Sequence, residues 1–113
     1  MKAVFKELPP FSQVREDYFG DDVFLKLQSV LLTKADAGAV IEGTGGLRKL
    51  QHGDPRCCKG SRGGLRIIDC WWLGGDQFWL FTVYDKDEAD DLNPKERKAL
   101  KALLDIELKA RSS

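Results

Sequence analysis

The densest group of chemically active side chains lies in one glycine-rich segment, residues 43–68. It carries six cations against one anion, Asp54, although the 113-residue chain has a formal net charge of zero. The cations are Arg48, Lys49, Arg56, Lys59, Arg62 and Arg66. Because clustered Lys and Arg side chains attract phosphate, this contrast indicates an anionic partner that is bound at one place. A solvated basic loop without a partner is the alternative.

The glycines of this segment superficially suggest a phosphate-binding loop. They are Gly43, Gly45 and Gly46. However, no Gly-Lys-Ser or Gly-Lys-Thr signature follows them, and no strand-loop-helix pattern surrounds them. Nucleoside triphosphate binding is therefore not expected.

The cysteines and the single histidine raise the question of a metal site. Zinc bound by His52, Cys57, Cys58 and Cys70 is disfavoured, because adjacent cysteines rarely chelate one ion and no CxxC spacing exists. Three cysteines are also an odd number, which disfavours a full disulfide framework. We expect reduced thiols, no metal and no cofactor.

Length and composition suit one folded domain over residues 1–113. The chain is 42% hydrophobic and contains three Trp and six Phe, which argues against disorder. No secretory leader opens it, and no apolar run is long enough to span a bilayer. We expect a soluble, cytoplasmic protein without a membrane partner.

The chain opens with an alternating pattern over residues 2–7, which predicts a first strand. Pro9 and Pro10 stop it, because proline cannot donate to a sheet ladder. Apolar residues at helical spacing then predict a helix up to Tyr18, with Ser12 as its N-cap.

A second amphipathic helix is predicted after Gly20, which interrupts the first. Asp21 or Asp22 is expected to cap it, because carboxylates accept hydrogen bonds from the first free N–H groups. Gly38 is expected to end it. Its apolar stripe comprises Phe24, Leu27, Val30 and Leu31.

Strand patterns follow the glycine-rich segment. Residues 65–72 and 78–84 are rich in β-branched and aromatic residues, and Gly74-Gly75 between them predicts an antiparallel hairpin. The hairpin tryptophans are expected to pack in the core rather than to stack on bases. They are Trp71, Trp72 and Trp79.

The last helix has a clear start signal. Asn93 suits the N-cap, Pro94 the first helical position and Glu96 the capping box. Its predicted buried stripe comprises Leu100, Leu103, Leu104 and Leu108. Together the elements predict an α+β fold, in which a small antiparallel sheet with a mixed edge carries two N-terminal helices and one C-terminal helix.

Four motifs carry a family resemblance. In chain order they read GTGGLRK, KGSRGGLRII, LFTVYDKDEADDL and NPKERKALKALL. Together they resemble the RelE/HigB toxins of bacterial type II toxin–antitoxin pairs, from about Val40 to the C-terminus. The resemblance implies a RelE-like fold and a ribosome-dependent endoribonuclease that cuts messenger RNA in the decoding site without a metal. It also implies a cognate antitoxin, expected to be a helix-turn-helix DNA-binding protein, that silences the toxin.

The resemblance further implies roles for five residues. Lys59 matches an acid or base lysine, Arg62 a basic neighbour, and Arg66 the strand arginine that holds the scissile phosphate. Lys86 matches a basic residue at the end of the next strand. Tyr84 matches a tyrosine that stacks on a base or shares in proton transfer. The RNA-binding residues expected in addition are Arg48, Lys49 and Arg56.

The chemistry of RNA cleavage is compatible with such a set. The 2′-hydroxyl is the nucleophile, so cleavage needs a base for its proton, cations for the dianionic phosphorane and an acid for the leaving 5′-oxygen. His52 is the one histidine of the chain, so a histidine pair is excluded. Clustered cations lower the pKa of a lysine by like-charge repulsion, which makes a neutral, basic lysine more accessible.

Two geometric expectations test this interpretation. Arg66 and Tyr84 share a sheet face only if the numbers of residues paired across the hairpin add up to an even sum. A three-residue loop or a glycine bulge in the turn over residues 73–77 would set such a register. A two-residue turn at Gly74-Gly75 would place them on opposite faces. Asp69 brings an anion close to the phosphate site unless its side chain lies on the other face.

Two other function classes fit the sequence. One is a toxin of the same fold with another target, such as a gyrase poison. The other is a binding module whose cationic segment holds nucleic acid or an acidic protein. The run over residues 85–91 adds five anions beside the predicted site. A cleft with both signs binds free RNA poorly, which agrees with a ribosome that presents the substrate.

Overall fold

The computed structural model of the chain describes residues 4–18, 20–34, 37–52, 64–72, 77–85 and 92–112. The elements within these ranges are β1 (Val4–Glu7), α1 (Pro9–Tyr18), α2 (Asp21–Thr33), β2 (Ala39–Val40), β3 (Arg48–His52), β4 (Leu65–Trp72), β5 (Gln77–Asp85) and α3 (Pro94–Ser112). The predicted α+β class, with two N-terminal helices and one C-terminal helix, is confirmed.

The described strands form one five-stranded sheet in the order β1-β5-β4-β3-β2. β1 runs parallel to β5, and the other neighbours are antiparallel. The predicted hairpin is therefore confirmed as β4 and β5, and the mixed edge as β1. Strands β2 and β3 were not predicted, because β2 has only two residues and β3 reads RKLQH beside several glycines.

Helix α1 begins at Pro9, so the prediction that Ser12 caps it is wrong. The carbonyl oxygen of Leu8 accepts hydrogen bonds from the N–H groups of Phe11 (2.9 Å) and Ser12 (3.1 Å). Pro9 and Pro10 occupy the first turn, where a missing N–H costs little because that group has no partner within the helix. The two prolines thus stop the strand and start the helix.

Helix α2 is capped by Gly20, so the prediction of an Asp21 or Asp22 cap is wrong. Both carboxylates lie in the first turn instead, where the positive end of the helix dipole favours them. The helix ends at Thr33, so the prediction that Gly38 ends it is also wrong.

Gly38 serves the sheet rather than the helix. Its φ is +93°, and a Cβ atom there would lie 2.6 Å from the carbonyl oxygen of Lys49. Because a side chain fits neither the dihedral angle nor the space, glycine is required where the chain enters β2.

Helices α1 and α2 cover one side of the sheet, which we call the α1/α2 face. There Phe11, Leu27 and Leu31 of the helices are fully buried against Ile67 and Leu80 of the sheet. Burial of each such side chain contributes roughly 1.5–3 kcal/mol, so this cluster is a main source of stability.

Helix α3 covers the opposite side, which we call the α3 face. Leu100 and Leu104 pack there against Ile68, Trp79 and Phe81. The expectation that the tryptophans lie in the core is confirmed for Trp79, which is fully buried.

Trp71 belongs to the α1/α2 face. It packs against that cluster with its ring centroid 4.4 Å from that of Phe78, which confirms the expectation for a second tryptophan. The side chain of Trp72 lies outside the described part of the structure.

A β-bulge in the middle of β5 determines which side chains share a face. Asp69 is paired with Leu80, but Ile68 is paired with Thr82, so Phe81 is the extra residue. Because a bulge adds one residue to one strand, the sum of paired residue numbers changes from odd to even at this point.

The predicted capping box of α3 is confirmed. The N–H of Asn93 donates to Glu96 Oε1 (3.0 Å), and the N–H of Glu96 donates to Asn93 Oδ1 (2.8 Å). The two residues thus satisfy each other's free groups, and Pro94 occupies the first helical position.

The predicted buried stripe of α3 is confirmed except at its C-terminal end. Leu100 and Leu104 are buried, whereas Leu108 is 38% exposed, so the prediction is wrong for that residue. At this end α3 meets β1 through the ion pair between Lys6 Nζ and Glu107 Oε2 (2.9 Å). Among the described residues, no helix has both the length and the apolar character that crossing a membrane requires.

Candidate nucleic-acid interface

Arg66 of β4 is directly paired with Tyr84 of β5, so both side chains lie on the α3 face. Such pairs have Cβ atoms about 4.5–5.5 Å apart, which lets both side chains reach one ligand. Gln51 of β3 is paired with Arg66 on its other side. We call these three residues, Gln51, Arg66 and Tyr84, the Arg66 row.

The expected even-sum register is therefore confirmed, but its cause differs from those considered. Near the hairpin turn the numbers of paired residues add up to an odd sum, as for Trp72 and Gln77. The bulge at Phe81 changes the sum before the strands reach Arg66 and Tyr84. An aromatic residue inside β5, rather than a glycine in the turn, places the two side chains together.

Arg66 is 2% exposed, which is unusual for an arginine. Its Nη1 donates to the carbonyl oxygen of Leu65 at 3.4 Å, and its Nε is buried. Tyr84 is half-buried against the α3-face cluster. An RNA phosphate would reach the guanidinium only after neighbouring side chains shift.

Two acidic residues that the sequence places close to Arg66 lie on the opposite face. Asp69 alternates with Arg66 along β4 and is paired with Arg48 and Leu80. Asp85 is paired with Leu65. Their carboxylates therefore do not oppose a phosphate on the α3 face. Residues 86–91 of the acidic run lie outside the described residues.

Asp69 is fully buried, and within the described ranges neither of its carboxylate oxygens has a hydrogen-bond partner. Burial raises its pKa from 3.8 to about 7, although the positive charge of Arg48 acts in the opposite direction. The protonated acid is thus favoured well above the usual range of an aspartate. This titratable group belongs to the core of the α1/α2 face and not to the Arg66 row.

The Cys70 thiol lies on the α3 face. Burial, and secondarily the charge of Asp69, raise its pKa to about 11, so the thiolate that binds metals is strongly disfavoured at neutral pH. His52 is paired with Leu65, five positions before Cys70 on β4, which corresponds to about 17 Å of strand. These two positions cannot hold one zinc ion. Cys57 and Cys58 lie outside the described residues.

Arg48 and Lys49, both expected to bind RNA, lie on opposite faces. Arg48 is paired with Asp69 and donates from Nη1 to the carbonyl oxygen of Gly38 (3.3 Å). Lys49 is paired with Ile68, so it shares the α3 face with the Arg66 row. The structure brings Lys49, but not Arg48, to the face of Arg66.

The remaining expected site residues lie outside the described part of the chain. They are Arg56, Lys59, Arg62 and Lys86. Their roles remain predictions from the sequence.

The GTGG motif builds a turn that packs against α3. Thr44 is fully buried; its hydroxyl donates to the carbonyl oxygen of Ile41 (2.6 Å) and accepts from the N–H of Leu47 (3.2 Å). Gly45 has a φ of +82°, and a Cβ atom there would touch Leu104 at 3.7 Å. The motif thus fixes the chain between β2 and β3.

Two residues near the candidate site were not predicted. Gln51 follows Lys49 at the two-residue period of a strand, and Arg97 lies three residues before the buried Leu100 on α3. The strand period was available in the sequence, but β3 was not predicted. For Arg97 only the packing direction of α3 identifies the side it faces.

No protein-family model matches the chain. Among solved structures, it is similar to a mutant of the Escherichia coli toxin RelE in the free state, with a TM-score of 0.47 and 13% sequence identity. The match covers 80% of this chain and 90% of that chain.

Proposed function

We propose that this protein is the toxin of a toxin–antitoxin pair and a ribosome-dependent endoribonuclease that cleaves messenger RNA and so arrests translation. The observation that carries the proposal is the pairing of Arg66 with Tyr84 on one sheet face, with Lys49 on the same face. The four sequence motifs that resemble RelE/HigB toxins support it.

In the proposed reaction the 2′-hydroxyl of the RNA attacks the adjacent phosphate. Lys59 takes the proton of the 2′-hydroxyl or donates one to the leaving 5′-oxygen, and Tyr84 shares in the other proton transfer. Arg66 holds the scissile phosphate and stabilises the charge of the phosphorane, and Arg62 and Lys86 add positive charge. The products are a cyclic phosphate and a free 5′-hydroxyl.

Tyr84 contributes an aromatic face and a hydroxyl beside Arg66. Stacking of an RNA base on such a ring is worth about 1–3 kcal/mol, which would orient the scissile phosphate over the guanidinium. Because Arg66 is buried, its neighbouring side chains must shift before the phosphate can enter, and the RNA must be arranged against this face while they do. A ribosome that presents the message in a bent form would supply that arrangement.

The proposed partners follow from this role. A cognate antitoxin, proposed to be a helix-turn-helix DNA-binding protein, would silence the toxin in the cytoplasm. The ribosome and messenger RNA are the other partners.

Induction of the protein in a bacterium, followed by mapping of messenger RNA 5′ ends, tests the proposal. We expect new in-frame cuts within translated regions in wild type. We expect Arg66→Ala to reduce them by about 10²–10³-fold, because it removes a charge that stabilises the transition state.

Tyr84→Phe provides a second variant, since Arg66 is buried and its truncation also affects folding. It keeps the ring and removes the hydroxyl, so loss of cutting with unchanged thermal stability identifies proton transfer or a phosphate contact by that hydroxyl. Lys98→Gln, a substitution of an exposed residue, is the matched control and should cut like wild type.

Absence of cuts with folded wild-type protein would refute the proposed nuclease activity. DNA-damage signalling would then identify a gyrase poison, and RNA binding that survives Arg66→Ala would identify a binding module.

A further inference from the structure

An open pocket of about 340 Å³ lies on the α3 face, beside the Arg66 row and separate from it. Its lining residues are Ala39, Val40, Ile41, Glu42, Lys49 and Arg97. They come from β2, the start of the following turn, β3 and the first turns of α3. The volume is at the lower end of the range for small-ligand sites, which suits one nucleotide.

Arg97 is held in place before any ligand binds. The capping box of Asn93 and Glu96 fixes the first turn of α3, and the backbone N–H of Arg97 donates to the carbonyl oxygen of Asn93 (3.0 Å). The side-chain Nε of Arg97 donates to the carbonyl oxygen of the buried Leu92 (3.2 Å). A guanidinium fixed through Nε loses less conformational entropy when its terminal nitrogens bind an anion.

Lys49 supplies a second cation to the lining of the pocket. Its position on β3 is set by pairing with Ala39 and Ile68. The pocket is thus lined by two cations from separate, well-packed elements. Such a pair is suited to bind a phosphate group.

The other lining residues point to more than a bare phosphate. Glu42 would repel an isolated anion, but its carboxylate can accept hydrogen bonds from ribose hydroxyls or from an amino group of a base. Ala39 and Ile41 offer apolar surface for the sugar or the base. Positive, negative and apolar groups together match the three parts of a nucleotide.

The pocket lies at a suitable distance from the Arg66 row. Lys49 precedes Gln51 by two residues on β3, and Gln51 is paired with Arg66 on the next strand. Strand geometry therefore places the Cα atoms of Lys49 and Arg66 about 8 Å apart. This separation is comparable to that of neighbouring phosphates in an extended RNA strand.

We propose that this pocket binds the nucleotide next to the scissile phosphate, with Lys49 and Arg97 on its phosphate group and Glu42 on its sugar or base. The proposal rests on the proposed function, because it takes RNA as the ligand. It assigns Arg97 of α3 a role in positioning the substrate.

Binding of a short single-stranded RNA with 2′-O-methyl groups, which cannot be cleaved by 2′-hydroxyl attack, tests the pocket directly. Fluorescence anisotropy should be measured over a series of salt concentrations, starting at low salt. Each phosphate contact on single-stranded nucleic acid adds about 0.7 to the magnitude of the slope of log K against log salt. We expect Arg97→Gln and Lys49→Gln each to lower that magnitude by about 0.7.

Lys98→Gln is the matched control, because Lys98 lies next to Arg97 on α3, is exposed and does not line the pocket. It should keep the wild-type slope, and Arg97→Lys should restore most of it. If all variants are folded and the slopes for Arg97→Gln and Lys49→Gln equal that of Lys98→Gln, the proposal that the pocket binds an RNA phosphate is overturned.

Failure of the pocket and failure of the proposed function give different results. If messenger RNA is cut in an Arg66-dependent way but the Arg97→Gln slope is unchanged, the nuclease holds and the pocket is wrong. If Arg97→Gln lowers the slope but wild type makes no cuts, the pocket holds and the nuclease is wrong.

Discussion

Strands β3 and β4 carry cations on both faces, but an anion, Asp69, on the α1/α2 face alone among the described residues. On the α3 face, Arg66 and Lys49 lie near the half-buried Tyr84 and an open pocket. On the α1/α2 face, Arg48 is paired with Asp69, whose carboxylate is fully buried in the core. Neighbouring residues in the sequence thus contribute to different physical functions.

The difference teaches that a cationic segment in a sequence is not a single cationic patch. A strand directs consecutive side chains to opposite faces, so half of its charges lie on the α1/α2 face and the other half on the α3 face. We expect the α3 face to determine ligand binding and the α1/α2 face to determine how stability depends on pH.

The largest expected effect concerns Asp69. In the folded protein its pKa is about 7, against an ordinary value of 3.8. Between these pH values the folded state binds a proton that the unfolded state has lost, so the contribution of Asp69 to stability decreases as pH rises from about 4 to about 7. Integration of this shift gives a loss on the order of 4 kcal/mol by pH 8.

Asp69→Asn should remove this component, because the amide does not titrate. Urea unfolding of wild type and variant at several pH values measures it: the stability of the variant relative to wild type should rise from pH 4 to pH 8. A difference that is independent of pH would show that the pKa of Asp69 in the folded protein is close to its ordinary value of 3.8, so that the α1/α2 face does not set the pH dependence of stability. In the proposed cleavage of messenger RNA, folded Asp69→Asn should act like wild type at neutral pH.

An intermediate effect is expected from the cap of α3. Asn93→Ala removes the acceptor of the Glu96 N–H and should cost about 1 kcal/mol of stability. Because Arg97 depends on the same turn, the variant should also weaken RNA binding. Its effect on the pH dependence of stability should be absent, since Asp69 lies on the other face.

Glu96→Gln serves as the control, because glutamine can also accept the hydrogen bond of the capping box. Stability by thermal unfolding and RNA affinity by anisotropy should both stay close to wild type. A loss in Glu96→Gln with no loss in Asn93→Ala would show that the negative charge of Glu96, and not the cap, holds the turn.

The smallest effect on stability is expected for Arg48 and Lys49, two neighbours on β3 that should respond differently to substitution. Arg48→Gln removes the charge that lowers the pKa of Asp69, so that pKa should rise further and stability should fall by about 0.5 kcal/mol at pH 8 and by less at pH 5. Lys49→Gln should leave stability unchanged but reduce RNA affinity. Chemical denaturation at both pH values and anisotropy on the same samples compare the two variants. Equal loss of RNA affinity in both variants, with unchanged stability, would place Arg48 in the proposed RNA site, as the sequence predicts.

Several elements were predictable because their signals are local. The capping box of Asn93 and Glu96 involves residues three apart, and the apolar strands β4 and β5 have the composition of buried strands. The strand β3 was not predictable from its own residues, since RKLQH becomes a strand only by pairing with β4. Likewise Leu8 and Gly20 cap their helices through backbone geometry, which carries little side-chain signal.

The candidate site shows the same division. The sequence by itself determined which residue types are present: a cluster of cations around Arg66, an aspartate three positions after it and a tyrosine near the end of the next strand. Only the tertiary structure decided which of them share a face, because the bulge at Phe81 pairs Arg66 with Tyr84 and strand alternation directs Asp69 away. The physical reason is that register and burial arise from contacts between strands distant in sequence, and a shift of one residue moves every side chain of a strand to the other face.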